Sequence, residues 1–259
     1  MNLVDVHAHL DFPPLSEKLD AVLQNAANAN VKAIVANGVT PESNRKVLEL
    51  SKTNKMIKPA LGYYPWHVPE VSEEEFDEEL DFIKKSKPVA LGEIGLDKKW
   101  DNIEHYKVKG TQDELFKKQT SAFEKFIGLA EKQNIPLIIH SRKAEQEAIE
   151  MLESSSAKKI IMHCFSGKKK LVKQVIDNGW SVSVPVIVTK LQQFQDMVKE
   201  ASNNQLLTET DAPYLGPQPG LTNEPANVTI TIKKLAELKG LTEVEMADQI
   251  FMNYQKLFL

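Results

Sequence analysis

The sequence predicts an α/β fold, a closed (β/α)₈ TIM barrel, and three observations predict it. Short apolar, β-branched runs alternate with longer charged, helix-favouring stretches through all 259 residues. The runs lack strict apolar–polar alternation, which suits strands buried on both faces of a parallel sheet. The length is about that at which one such barrel closes, and near the upper limit for a single hydrophobic core. The rival architecture, a doubly wound open sheet, more often carries a glycine-rich first turn. Here the first run leads instead into His7-Ala8-His9.

Strands are expected at 3–6, 31–37, 57–61, 89–93, 135–140, 159–163, 180–184 and 205–209. Helical patterns lie between them, for example at 73–86, 113–133 and 168–178. Ser72 followed by Glu75 three residues later is a capping signal for the first of these. No low-complexity linker or composition break divides the chain, so one domain over 1–259 is expected. Lys+Arg 32 against Asp+Glu 36 gives a formal charge of −4, which argues against coating nucleic acid through bulk electrostatics. It leaves room for an enzyme that grips a few phosphates locally. The one cysteine cannot form an intrachain disulfide, and a reducing compartment is the simplest home. The first residues lack the basic-then-apolar order of a signal peptide, and no apolar stretch approaches the ~20 residues of a membrane span. A cytoplasmic protein with no membrane contact and no stable protein partner is expected.

Active sites of such barrels sit where the strands end, on the C-terminal face. The first run delivers His7 and His9, which, two apart in extended chain, point to the same side. The fourth delivers Glu93, the fifth His140, the sixth His163 and the eighth Asp211. Each signal alone is weak. A lone histidine after an apolar run is more often a satisfied structural residue, and Asp211 before Ala212-Pro213 also reads as a helix N-cap. Jointly, three imidazole-bearing strands and two carboxylate-bearing strands would bury several desolvated polar groups at one mouth. A divalent metal removes that penalty.

The same residues carry a resemblance. The chain is similar to the TatD family of metal-dependent deoxyribonucleases, within the wider amidohydrolase-like barrels. The matches are Asp5-x-His7-x-His9-Leu10-Asp11, Ala90 through Asp97, Gln119 with Phe123, Pro136 through His140-x-Arg142, His163-Cys164-Phe165, Glu209 through Leu215, and Asn253 with Leu257-Phe258. Their order and spacing agree over nearly the whole length. The resemblance implies two divalent ions, Zn²⁺, Mg²⁺ or Mn²⁺. His7, His9 and Asp211 would hold one ion, and Glu93 would bridge to a second held by His140 and His163. It implies cleavage of DNA phosphodiesters, on single strands or ends, by a water activated between the metals, with Asp211 and Glu93 as the catalytic carboxylates. DNA is then a transient substrate partner.

Around this centre, Arg142, His67, Tyr64 and Asn223 are the expected substrate contacts. Arg142 suits a scissile phosphate, although a salt bridge to a loop carboxylate is an equal reading. Tyr63, Tyr64 and Trp66 suit stacking on a base, or packing against the barrel rim. Asp5 suits either an imidazole acceptor or a buried floor residue. Lysines between 98 and 109 read as a phosphate-holding loop or as a solvated surface. Cys164 is expected as a small buried residue pointing away from His163. Two departures from the family stand out. Tyr64 occupies the place before Pro65 where relatives more often have histidine, and the stretch 217–225 keeps Asn223 and Pro225 but lacks an arginine. They leave open a hydrolase of an ester, lactone or aminoacyl linkage on the same fold, and a non-catalytic metal-binding protein.

Overall fold

The structure, a computed structural model, describes residues 1–259. Eight parallel strands run in sequential order around a barrel: β1 (Leu3–Ala8), β2 (Val31–Asn37), β3 (Ile57–Leu61), β4 (Ala90–Asp97), β5 (Leu137–Arg142), β6 (Ile160–Met162), β7 (Ser181–Val184) and β8 (Leu206–Thr208). Their residues are almost all buried, as a sheet covered on both faces requires. The ring closes through a bridge between Ala8 and Ala212. The amide of His9 donates to the Ala212 carbonyl at 2.7 Å, and that of Asp211 to the His7 carbonyl at 2.9 Å. Closure thus joins the two segments that carry His7, His9 and Asp211.

The helices are α1 (Leu19–Asn28), α2 (Pro41–Thr53), α3 (Glu73–Ser86), α4 (Asn102–Tyr106), α5 (Gln112–Gln133), α6 (Glu145–Glu153), α7 (Lys169–Asp177), α8 (Gln192–Glu200), α9 (Val228–Lys239) and α10 (Glu243–Phe258). Capping boxes open α3, α5 and α10, with Ser72, Thr111 and Thr242 accepting from the amide three residues on. Each pairs a side-chain acceptor with an orphan N–H of the first turn. A hydrophobic cluster of 65 buried residues joins strands and helices. No helix is long and apolar enough to cross a membrane.

One strand and the segment after it differ from the sequence reading in a way that bears on the site. β4 continues to Asp97, four residues beyond the expected end, and stays paired with β5 through Gly95–His140 and Asp97–Arg142. Gly95 permits this: its φ is +138°, and a Cβ there would lie 2.0 Å from the His140 carbonyl oxygen. The region after β4, expected as a lysine-rich loop, contains the short helix α4 instead. The Gly92–Glu93 and Ala212–Pro213 peptides are cis.

Candidate metal centre

Strand ends deliver the site. His7 and His9 lie on β1 and directly after it, both buried. Their Nε2 atoms face each other at 3.3 Å. Glu93 Oε2 lies 3.6 Å from His7 Nε2 and 3.4 Å from His9 Nε2, and Asp211 Oδ1 lies 3.6 Å from both. Four lone-pair atoms from three strand ends therefore share one small volume. Nitrogen ligands at ~2.0–2.1 Å around a tetrahedral cation are themselves roughly 3.3–3.4 Å apart. The His7, His9, Glu93 and Asp211 atoms fit that spacing, so the donor set suits a divalent cation. Asp211 reaches this point from a left-handed backbone conformation, φ +57°, which aspartate tolerates better than most residues.

The other oxygen of Glu93 faces elsewhere. Oε1 lies 2.9 Å from His140 Nδ1 and 3.9 Å from His163 Nε2. The ring of His163 stacks on that of His7, centroids 3.6 Å apart. Glu93, His140 and His163 form a second group whose ligand atoms all lie within 4.8 Å of one another.

Electrostatics follow from burial against these partners. Burial alone disfavours every charge here. For Glu93 that penalty is outweighed by His140 and His7, and its carboxyl sits well below the usual carboxylate range. Asp211 is likewise held down, chiefly by His9. Burial and then the stacked His163 ring lower His7 to about 4. In His140, hydrogen bonds to Asp97 and Glu93 overcome burial and raise it to about 9. In His163, burial is overcome by Glu209 first and then Asp211, and its value rises to about 10.

His9, Glu93, His140, His163 and Asp211 floor an open cavity of about 660 Å³ at the C-terminal end of the barrel. Arg142 lines it from the end of β5, and Lys99, Asn102 and His105 from the segment after β4. Across the ring, Phe12, Ile187, Leu191 and Tyr214 line it from the segments after β1, β7 and β8. The mouth is thus cationic and polar on one side and apolar on the other. Tyr64 and His67 line it as well. Tyr64 Oη donates to Asp97 Oδ2 at 3.2 Å, and His67 Nδ1 lies 3.1 Å from Glu70 Oε2.

The structure separates the alternative readings of several residues and places Asn223 away from the cavity. Asn223 is buried outside the cavity. Its amide donates to the carbonyls of Thr210 and Leu215, and its Oδ1 accepts from the Glu224 amide and the Asn227 side chain. Its hydrogen-bonding capacity is spent holding the loop after β8, which leaves nothing for a substrate. Trp66 is fully buried in a small cluster with Val108 and Leu115, and Tyr63 packs on Phe76, so neither is placed to stack on a base. Asp5 orients no imidazole. It accepts from the backbone amides of His7 and Thr210 and from the Thr210 hydroxyl, tying β1 to the segment after β8, while His7 Nδ1 has no partner. Cys164 lines the cavity beside His163. β6 ends at Met162 and Cys164 has φ +44°, so strand alternation does not apply to this pair. His105 in the cavity wall carried no signal in the sequence, and Tyr214 was legible only as a motif residue. Asp97 and Glu209, likewise legible only as motif residues, each meet a histidine ring.

Comparison with known proteins agrees with this geometry. The family model described as "TatD related DNase" matches residues 4–259. Human deoxyribonuclease TATDN3 is 32% identical over 267 residues, covering 100% of this chain and 95% of the relative. The metal-dependent hydrolase YabD of Bacillus subtilis is 32% identical over 262 residues, covering 99% and 98%. The crystal structure of YjjV, a TatD homologue from Escherichia coli, superposes with a TM-score of 0.87 at 28% identity, covering 99% and 97%. With the barrel, the clustered histidines and carboxylates, and a match along nearly the whole chain, this protein belongs to the TatD family of metal-dependent hydrolases.

Proposed function

We propose that the protein hydrolyses phosphodiester bonds of DNA, at single strands or frayed ends, using two divalent cations held between β1, β4, β5, β6 and β8. The observation that carries this reading is the orientation of Glu93, whose Oε2 faces His7 and His9 while Oε1 faces His140 and His163. A carboxylate has an oxygen for each of two ions, which one imidazole nitrogen does not. His7, His9 and Asp211 would hold one ion, His140 and His163 the other. Such a pair supplies Lewis acidity, making hydroxide available near neutral pH and drawing charge from a scissile phosphate.

The remaining work belongs to the chain's own groups. Asp211 presents a carboxylate at the cavity floor, where it accepts a proton from the attacking water. Arg142 and Lys99 offer cationic donors to phosphate oxygens. Phe12 and Tyr214, across the mouth, offer rings to an unstacked base, and base stacking contributes ~1–3 kcal/mol without sequence preference. The 660 Å³ mouth receives a strand end more readily than a duplex interior. Human TATDN3, similar along its length, is named a deoxyribonuclease.

The test is incubation of purified protein with end-labelled single-stranded DNA and Mg²⁺, Mn²⁺ or Zn²⁺, beside an ester, lactone and aminoacyl-ester panel. Shortening of the strand with at least one metal is expected. Turnover of a panel substrate with intact DNA under every metal would replace the substrate while leaving the hydrolase.

A further inference from the structure

Each histidine of the centre points one ring nitrogen at the cluster, and the opposite nitrogens differ sharply in what they meet. His140 turns Nδ1 to Glu93 and places Nε2 3.0 Å from Asp97 Oδ2. His163 turns Nε2 inward and places Nδ1 2.7 Å from Glu209 Oε2. His9 places Nδ1 3.1 Å from a neutral acceptor, the Asn37 carbonyl. His7 Nδ1 is buried and has no hydrogen-bond partner, although a His7 ring nitrogen lies within 4.8 Å of a Glu209 carboxylate oxygen. The two imidazoles beside Glu93 Oε1 are therefore backed by carboxylates, and the two beside Oε2 are not.

Both backing carboxylates are themselves fixed. Asp97 is fully buried, and its backbone is clamped by Gln119, whose amide oxygen accepts from the Asp97 N–H and whose amide nitrogen donates to the Asp97 carbonyl. Its Oδ1 accepts from the Lys99 amide, and Oδ2 from Tyr64 Oη. Glu209 is fully buried and accepts from Ser183 Oγ. A carboxylate held this way dictates which nitrogen of the facing ring keeps its hydrogen, and leaves the other nitrogen as a lone-pair donor aimed at the cluster.

We propose that Asp97 and Glu209 are positioning residues that act through His140 and His163 on one of two cation positions, making that position pre-set by charge. This rests on the two-cation reading above. Asp97 fixes His140 with hydrogen on Nε2, and Glu209 fixes His163 with hydrogen on Nδ1. Removing either acceptor charge frees the ring and weakens the Glu93–His140–His163 position alone.

The full-length, metal-free protein is titrated with Co²⁺ in competition with a chromophoric chelator, following its visible absorption. Wild type is expected to show two binding events. Asp97→Asn and Glu209→Gln should each weaken the same single event by roughly 10- to 100-fold and leave the other within about twofold. Equal weakening of both events, or no change in either variant, overturns the proposal. A single event in wild type that both variants weaken sustains the positioning roles and removes the two-cation reading, so the two failures are distinguishable. Should the variants not fold, the wild type decides. Nitrogen-15 histidine spectra of the Zn²⁺-loaded protein must show ring hydrogens on His140 Nε2 and His163 Nδ1, and their absence overturns the proposal.

Discussion

Asp211 and the raised histidines set the first expectations, at the scale of single residues. Asp211→Asn keeps size and hydrogen bonding but removes the charge opposite His7 and His9. Loss of a proton acceptor is expected to lower kcat by roughly 10²- to 10⁴-fold. Asp211 lies at the cavity, outside the hydrophobic core, so the fold should be kept, with some loss of stability as its pairing with His9 and His163 goes; steady-state kinetics beside thermal denaturation check both. Unaltered turnover would mean that the catalytic centre lies elsewhere. His140 and His163, raised to about 9 and about 10 by facing carboxylates, carry protons at pH 7 in the metal-free protein. A cation must expel them, so cation affinity should rise with pH until about 9 to 10, with protons released on binding. Calorimetry in buffers of differing ionisation heat counts those protons. The same protons stabilise the metal-free fold. That stabilisation is fully present below the unfolded histidine value near 6.5 and is lost as pH rises through about 9 to 10.

Between residues and barrel lie the strands, and β4 is the one on which the centre turns. It carries Glu93 and Asp97 and runs beside His140 only because Gly95 leaves room. Gly95→Ala would place a methyl 2.0 Å from a backbone oxygen at φ +138°, so the β4–β5 pair must part. A loss of about 3 kcal/mol or more is expected, with lower bound metal, since His140 moves with its strand. Urea unfolding and elemental analysis measure the two effects, and a variant with wild-type values for both would show that β4 yields elsewhere. This strand also marks where sequence legibility ends. β2 (Val31–Asn37) and β3 (Ile57–Leu61) match the expected 31–37 and 57–61 because each is a short apolar-rich run closed by a glycine, Gly38 and Gly62. β4 did not show its true end, since Gly92-Glu93 reads as a stop until the partner strand is known. The six clustering residues were legible because strand ends share one rim. Asp97 and Glu209 were not read as ring partners, because an acceptor behind a histidine is set by side-chain packing between strands and leaves no spacing rule. Asn223 went the other way: a polar residue near a site looks available until its bonds are counted.

Seen as a whole molecule, the protein carries a formal charge of −4, and its acidic side chains outnumber its basic ones. DNA held by such a surface must be held at few points. The cavity offers Arg142 and Lys99 as basic side chains, on the β4–β5 side of the ring. Each phosphate neutralised on a single strand contributes about −0.7 to the slope of log affinity against log salt, so two contacts imply a slope between about −1 and −2. The measurement is binding of a hydrolysis-resistant phosphorothioate strand from ~50 to ~200 mM salt, the range over which extensive phosphate contacts lose about 10³-fold or more. Arg142→Ala should flatten the slope by about 0.7 and weaken binding to all sequences alike, because a phosphate contact reads no base. Removing the ring of Tyr214, by contrast, should weaken binding without altering the slope, since stacking releases no counterion. A slope steeper than about −4 would require a basic track beyond the mouth, and with it a substrate gripped along its length instead of at its end.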